Sequence, residues 1–284
     1  MIKTNFWHLL FFIMTVNIGI AGVTADDIIS SIKKNVTCHW NKETVDTCKG
    51  GNGSMEVTGI ATTFLATMEV LKKAKAKGLN LIITHEPTFY NHFDKTDTYG
   101  DDVIIKEKIK YIKDNNLVVF RFHDHIHQTS SDGIYKGVVD QLGWQAYEIS
   151  QRPYIYKISE ITLKRLTVQL KNIFHTSVIR VVGDQEMILT YVSLVLGASG
   201  SKAQIKSLQR DDVDVEIIGE TQEWETVEYA RDAVNMGKKK ALIIIGHANS
   251  EEAGMAYCAD WLKEFISEVP IEFIPAGDPF WTIE

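Results

Sequence analysis

The chain is short of cysteine, proline and positive charge, and each shortage narrows what it can be. There are three cysteines and five prolines in 284 residues, and 30 lysines and arginines stand against 37 aspartates and glutamates. Three cysteines exclude a disulfide-dense scaffold. The formal charge of -7, with no basic block to offset it, argues against nucleic acid as a partner. The KKAKAK run at 72–77 closes a predicted helix, where positive charge is favoured anyway. There is no glycine-rich loop ending in GK[ST], no GxGxxG after a strand and no GxSxG elbow, so neither a nucleotide fingerprint nor a serine-hydrolase motif is present. GASGSK at 197–202 and CKGGNGS at 48–54 read only as glycine-rich loops.

Long apolar runs are also missing, except at the start. MIKTNFWHLLFFIMTVNIGIAGVTADD offers one lysine, a run of roughly fifteen mostly apolar residues and then small residues, the pattern of a secretory signal. The small residues Val23 and Ala25 place the expected cleavage after Ala25, giving residues 1–25 as signal peptide and 26–284 as the mature chain. No cysteine follows the run, so a lipid anchor is not expected there. Loss of residues 1–25 removes only Lys3, leaving 29 basic against 37 acidic side chains. The expected localisation is periplasmic or secreted, with no membrane association after signal removal. In such a compartment Cys38 and Cys48 can close a short loop, and Cys258 reads as a buried small hydrophobe.

What is abundant is strand-length apolar sequence. VTGIATTFL, LNLIIT, NLVVFRF, SVIRVVG, ILTYVSLVLGA, VDVEIIG, KALIII and IEFIPA alternate with helical periodicity, which predicts an α/β fold of mixed or mostly parallel sheets flanked by helices. Asp101 or Asp102 is the expected cap of a helix carrying Val103, Ile104, Ile109 and Ile112, and Thr221 that of one ending near Gly237. No linker breaks the chain, so residues 26–284 read as one unit. The stretches at 74–86 and 233–247 echo each other as helix end, glycine, buried strand and histidine, which suggests two related lobes.

The nine histidines matter for their positions. Three groups follow apolar strands: His85 and Glu86, the HDHIH run at 123–127, and His247. In open α/β sheets, sites form beyond the carboxyl ends of strands. Imidazole and carboxylate donors suit zinc, iron or manganese, and two ions need about six of them. The six candidates are His85, Glu86, His123, His127, His247 and Glu251, with one carboxylate bridging. Ions about 3.5–4 Å apart can share and activate a water. In HDHIH, three alternating histidines share one face if the segment is extended. Asp124 and His125 are either groups that orient a ligand or an acid or base near the substrate; Asp124 and Glu251 are the catalytic candidates. Asn249 and Ser250 resemble helix caps, which would put Glu251 in a first turn. Asp132 and Gly133 read first as a turn, His39, His92 and His175 as isolated residues, and GDPFW at 277–281 as a plug for the core.

LIITHEPTFY at 81–90, FRFHDHIHQTSSDGIYKGVVDQLGW at 120–144 and GHANSEEAG at 246–254 together resemble the three motifs of the Nif-three-like dinuclear metal centre family, also called GTP cyclohydrolase I type 2 homologues. The resemblance implies the same six ligands. Glu86 stands where that family usually has a second histidine, and His127 where it has aspartate. It further implies a fold of two related lobes and a homo-oligomer, often a hexameric ring; the inserted domain of some members does not fit this length. The expected function is a metal-dependent hydrolase of unknown small-molecule substrate, with a non-catalytic metal-binding or scaffold protein as the alternative.

Overall fold

In the computed structural model, which describes residues 22–281 and 283, all eight predicted apolar runs contribute strands. The first half of the chain forms α1 (Ala25–Asn35), β1 (Cys48–Gly50), β2 (Ile60–Thr63), α2 (Met68–Ala76), β3 (Leu81–Thr84), α3 (Val103–Asp114), β4 (Val118–Arg121), α4 (Asp124–Gln128) and α5 (Gly133–Leu142). The second half forms β5 (Glu148–Ile149), β6 (Arg152–Thr162), α6 (Leu163–Ile173), β7 (Arg180–Val182), β8 (Ile188–Val195), α7 (Ser201–Leu208), β9 (Val215–Ile218), α8 (Glu228–Asn235), β10 (Ala241–Ile244), α9 (His247–Lys263) and β11 (Ile271–Phe273). One sheet has the order β1-β4-β3-β2-β11, parallel except for β1. The other, β5-β6-β8-β9-β10-β7, keeps β8, β9 and β10 parallel and places antiparallel strands outside them. The fold is therefore α/β, with two mixed sheets flanked by helices in two lobes of like construction.

The apolar runs lack alternation because their strands are covered on both faces: every residue of β2, β3, β4, β9 and β10 is buried. Helices α2 and α3 cover the outer face of the first sheet, and α7 and α8 that of the second. The pair α5 and α9 lies between the sheets. Ile134 of α5 packs with Met255 and Leu262 of α9 against Ile60, Leu81 and Phe120, while Val138 and Leu142 of α5 pack on Val192, Val215 and Ile243. The two helices touch backbone to backbone: a Cβ at Gly137 would lie 2.3 Å from the Ala253 carbonyl oxygen, and one at Gly254 would lie 2.5 Å from Ile134 Cα. Side chains at either position would force the helices apart, and with them the two halves of the site described below. The internal echo also has a structural counterpart: α2 and α8 are each followed by a glycine at φ 74°, Gly78 and Gly237, before β3 and β10.

Several expectations are corrected. Residues 48–50 of the supposed loop form β1. Strand β6 escaped notice because Pro153, Lys157 and Glu160 interrupt its apolar residues and much of it is exposed beside the two-residue β5. Asp102 does cap α3, but Val103, Ile104 and Ile109 face solvent while Ile105 and Ile112 are buried. Thr221 caps nothing; its hydroxyl donates to Gln204, and a π-helical turn, Glu223–Val227, leads into α8. Helix α9 begins at His247, so Asn249 and Ser250 lie inside it. The GDPFW segment is no core plug, since Phe280 and Trp281 are 74% and 81% exposed. Cys38 and Cys48 are not bonded to each other; the Cys38 thiol donates to the His125 carbonyl, and Cys258 is buried in the core.

Of the expected signal segment, residues 1–21 lie outside the described residues. Gly22 to Ala25 lie inside. Thr24 caps α1 through a reciprocal capping box with Asp27, Ala25 is fully buried, and the Val23 carbonyl accepts from the Val57 amide. No helix among the described residues is long and apolar enough to cross a membrane.

Candidate metal centre

Strands β3, β4 and β10 deliver the three histidine groups to one place. His85 and Glu86 follow β3, His123 follows β4, and His247 opens α9 directly after β10. All six candidate donors meet there. The ligand atoms of His85, His123 and His127 lie within 4.8 Å of one another, as do those of His85, Glu86 and Glu251. His247 Nε2 is 2.9 Å from Glu251 Oε2 and 3.5 Å from Glu86 Oε1. His123 Nε2 is 3.6 Å from Glu86 Oε1, and His85 Nε2 is 3.4 Å from Glu251 Oε2.

HDHIH is helical rather than extended, and this sorts its histidines. One turn of α4 keeps His123 and His127 on the same side, their ring centres 5.2 Å apart and 4.6 and 5.0 Å from that of His85. His125 points the other way, stacked on Trp40 at 3.7 Å with its Nδ1 2.6 Å from buried Asp46. Asp46 also accepts the backbone amides of His123, Asp124 and His125. It thereby fixes the start of the helix from a loop that carries no sequence signal.

Each inward-facing imidazole is oriented through its Nδ1. His123 faces Asp124 Oδ1 at 3.0 Å, His127 faces Asp132 Oδ2 at 2.9 Å and His85 faces the Phe122 carbonyl at 3.3 Å. An acceptor at Nδ1 sets the tautomer that leaves the Nε2 lone pair free, which is how metal-binding histidines are held. Asp124 therefore stands behind His123, its other oxygen taken by the Thr44 hydroxyl and the Val45 amide. Burial pushes the Asp124 pKa up, but its Thr44, His123 and Val45 hydrogen bonds outweigh this and bring it to about 2. Asp132 caps α5 with one oxygen and holds His127 with the other.

The electrostatics favour cation binding. Burial and the neighbouring His85 lower His123 to about 4, so it is a neutral donor near pH 7. Burial raises Glu86, yet His247, His85 and His123 together bring it to about 2. Glu251 is likewise raised by burial and held well below the usual carboxylate range by His247 and His85. Burial opposes charge on His247, but Glu220, Glu251 and Glu86 push its pKa up to about 12, so an arriving metal must displace that proton. Gly197, at φ 64°, leaves the room Glu251 needs: a Cβ there would sit 2.0 Å from Glu251 Oε1.

One atom tests whether a metal fits. His85 is fully buried, and its Nε2 has no hydrogen-bond partner among the described residues despite the nearby Glu251. A buried imidazole nitrogen left unsatisfied is costly. A cation among these four imidazoles and two carboxylates would satisfy it, and the mixed nitrogen and oxygen set suits a borderline divalent ion. Sequence reasoning missed Asp46, Glu220 and Arg121 at the site. Glu220 follows β9 and was open to the strand-end argument that found the others. His92 is exposed but not isolated, its ring lying 6.3 Å from that of His123; His39 and His175 are exposed elsewhere.

Comparison with known proteins points the same way. The model of the family described as Duf34/NIF3 (NGG1p interacting factor 3) matches residues 23–279. A Clostridium perfringens protein named GTP cyclohydrolase 1 type 2 homolog is 25% identical over 243 residues, covering 81% of this chain and 88% of that one. Its namesake from Clostridium acetobutylicum is 27% identical over 212 residues, covering 71% and 75%. A Bacillus cereus protein related to NIF3 superposes with a TM-score of 0.72 at 16% identity, over 92% of this chain and 99% of the other. A Staphylococcus aureus hypothetical protein gives 0.71 at 17% identity, over 92% and 100%. At such identities the superpositions speak for the fold, while the family match takes in all of the candidate donors: the chain belongs to the Duf34/NIF3 family.

Proposed function

We propose that the protein binds two divalent cations in this cluster and acts as an exported metal-dependent hydrolase on a small-molecule substrate. The observation that carries the metal reading is the unpartnered, buried Nε2 of His85 at the centre of six convergent donors. One lone pair can serve one ion, so His85, His123 and His127 make one set, while His247, Glu86 and Glu251 make the other. Glu251 Oε2, 3.4 Å from His85 Nε2 and 2.9 Å from His247 Nε2, is the carboxylate best placed to join them. Zinc, iron or manganese bound there supplies Lewis acidity, polarising a substrate oxygen and bringing the pKa of water toward neutrality.

The chain's own residues supply orientation and proton traffic. Asp124, Asp132 and the Phe122 carbonyl hold three imidazoles in the donor tautomer, and His247 releases the proton it shares with the Glu251 carboxylate when it becomes a donor. Hydrolysis of phosphoester and ester panels should vanish with chelator, return with added metal and fall at least about 100-fold in His123→Ala. Stoichiometric metal without turnover on any panel member would instead make the protein a metal store, carrier or scaffold.

Export belongs to the same proposal, with its processing point moved. A cut after Ala25 would remove the Thr24 cap of α1, a loss of about 1 kcal/mol in typical helices. A cut after Ala21 keeps the cap and has the small residue Gly19 at the preceding key position. The intact mass of secreted protein should correspond to an N-terminus at Gly22; a start at Asp26, or an uncleaved chain, would count against this.

A further inference from the structure

We propose that Arg121 is a positioning residue that turns the Glu86 carboxylate so that one oxygen faces the donor cluster and the other the guanidinium. The inference rests on the metal-binding reading above. Arg121 is the last residue of β4, paired with Thr84 at the end of β3, and is fully buried. Its Nε donates to the His85 carbonyl at 3.0 Å and its Nη1 donates to the His92 carbonyl. Nη1 also lies 3.5 Å from Asp94 Oδ2, an oxygen that is 3.5 Å from Lys49 Nζ, itself buried. Asp94 additionally accepts the Thr88 and Phe89 amides. That carboxylate is therefore already shared between two buried cations.

The remaining nitrogen, Nη2, makes no hydrogen bond among the described residues and lies 3.5 Å from Glu86 Oε2. Glu86 is thus divided: Oε2 faces the guanidinium, while Oε1 lies 3.6 Å from His123 Nε2 and 3.5 Å from His247 Nε2. A guanidinium is permanently charged, and a buried charge that loses its partner is strongly unfavourable. Histidine at position 86 would leave Arg121 with only a share of Asp94, beside a divalent cation that no longer has Glu86 opposite it. Conversely, without Arg121 nothing holds Oε2 back and Oε1 forward. Arginine at 121 and glutamate at 86 form one unit.

A double-mutant cycle on the purified protein, read as Zn2+ affinity by competition with a chromophoric chelator, tests this. Arg121→Met and Glu86→His should each weaken the weaker Zn2+ equivalent by about 10–100-fold, the range for lost outer partners. The double variant Glu86→His/Arg121→Met should regain most of that loss, a non-additivity that a purely structural arginine would not produce. Additive losses, or an Arg121→Met protein that binds Zn2+ like wild type, would overturn the inference. Should Arg121→Met fail to fold, Arg121→Gln, which can still donate to the His85 carbonyl, takes its place with the same two outcomes. Wild-type protein that binds no Zn2+ would defeat the metal reading itself, whereas a binding wild type with indifferent Arg121 variants defeats only this proposal.

Discussion

Replacing His85 with alanine should abolish stoichiometric binding of one of the two metal ions while leaving the metal-free protein folded. The imidazole is common to both donor groups, so its loss takes a ligand from one ion and leaves Glu251 without its partner on that side. Affinity should fall by more than about 100-fold, beyond what removal of an outer partner costs. The effect on the metal-free protein runs the other way. Alanine removes a buried nitrogen with no hydrogen-bond partner, and relief of that unsatisfied group offsets part of the cavity left behind. Wild-type protein with Zn2+ at 100 times its Kd should gain about 2.7 kcal/mol, a rise in Tm of several degrees for a chain of this size. His85→Ala should show a clearly smaller rise, since only the set of His247, Glu86 and Glu251 remains. A thermal melt with and without Zn2+ reads both effects, and an equal rise in the two proteins would remove His85 from the site.

The second large effect is a pH dependence set by a buried carboxylate outside the six donors. Glu216, in the middle strand β9 of the second sheet, is fully buried with both carboxylate oxygens unpartnered among the described residues. Its cross-strand neighbours are Ser193 and Leu242. The Ser193 hydroxyl is engaged with that of Ser207 at 2.8 Å. Burial raises the Glu216 pKa from 4.5 to about 8, only partly offset by the nearby Ser207 hydroxyl. Between those pH values the folded state holds a proton that the unfolded state has released, so stability must fall as pH rises from about 4.5 to about 8 and level off above. The contribution is of the order of a few kcal/mol. Glu216→Gln removes the titration, so its stability relative to wild type in urea should improve from pH 5 to about pH 8 and change little above that. A difference that stays constant over that range would contradict a neutral Glu216 in the native state.

Legibility of the sequence followed local rules. Strands buried on both faces appear as unbroken apolar runs, so β2, β3, β4, β9 and β10 could be read directly, and the residue after each strand is placed by the strand itself. This is why His85, His123 and His247 group together on the strength of their sequence positions alone. His127 and Glu251 come with them because each lies four residues beyond a histidine on the same helical face. What could not be read depends on contacts across the chain. Asp46 receives α4 from a loop some 80 positions away, Arg121 is a charge within an apolar run whose partners lie on other segments, and β6 is half exposed. HDHIH was ambiguous for a related reason: alternation of histidines fits a strand, but amides captured by Asp46 start a helix there, sending His125 away from its neighbours.

Anomalous diffraction from crystals grown with Zn2+, recorded at the zinc edge, tests the central claim most directly. Two peaks should lie among the six side chains, one bonded to the nitrogens of His85, His123 and His127 and one to His247 and a Glu86 or Glu251 oxygen, at about 2 Å. A cluster without anomalous density, while zinc is bound elsewhere or not at all, would contradict the account.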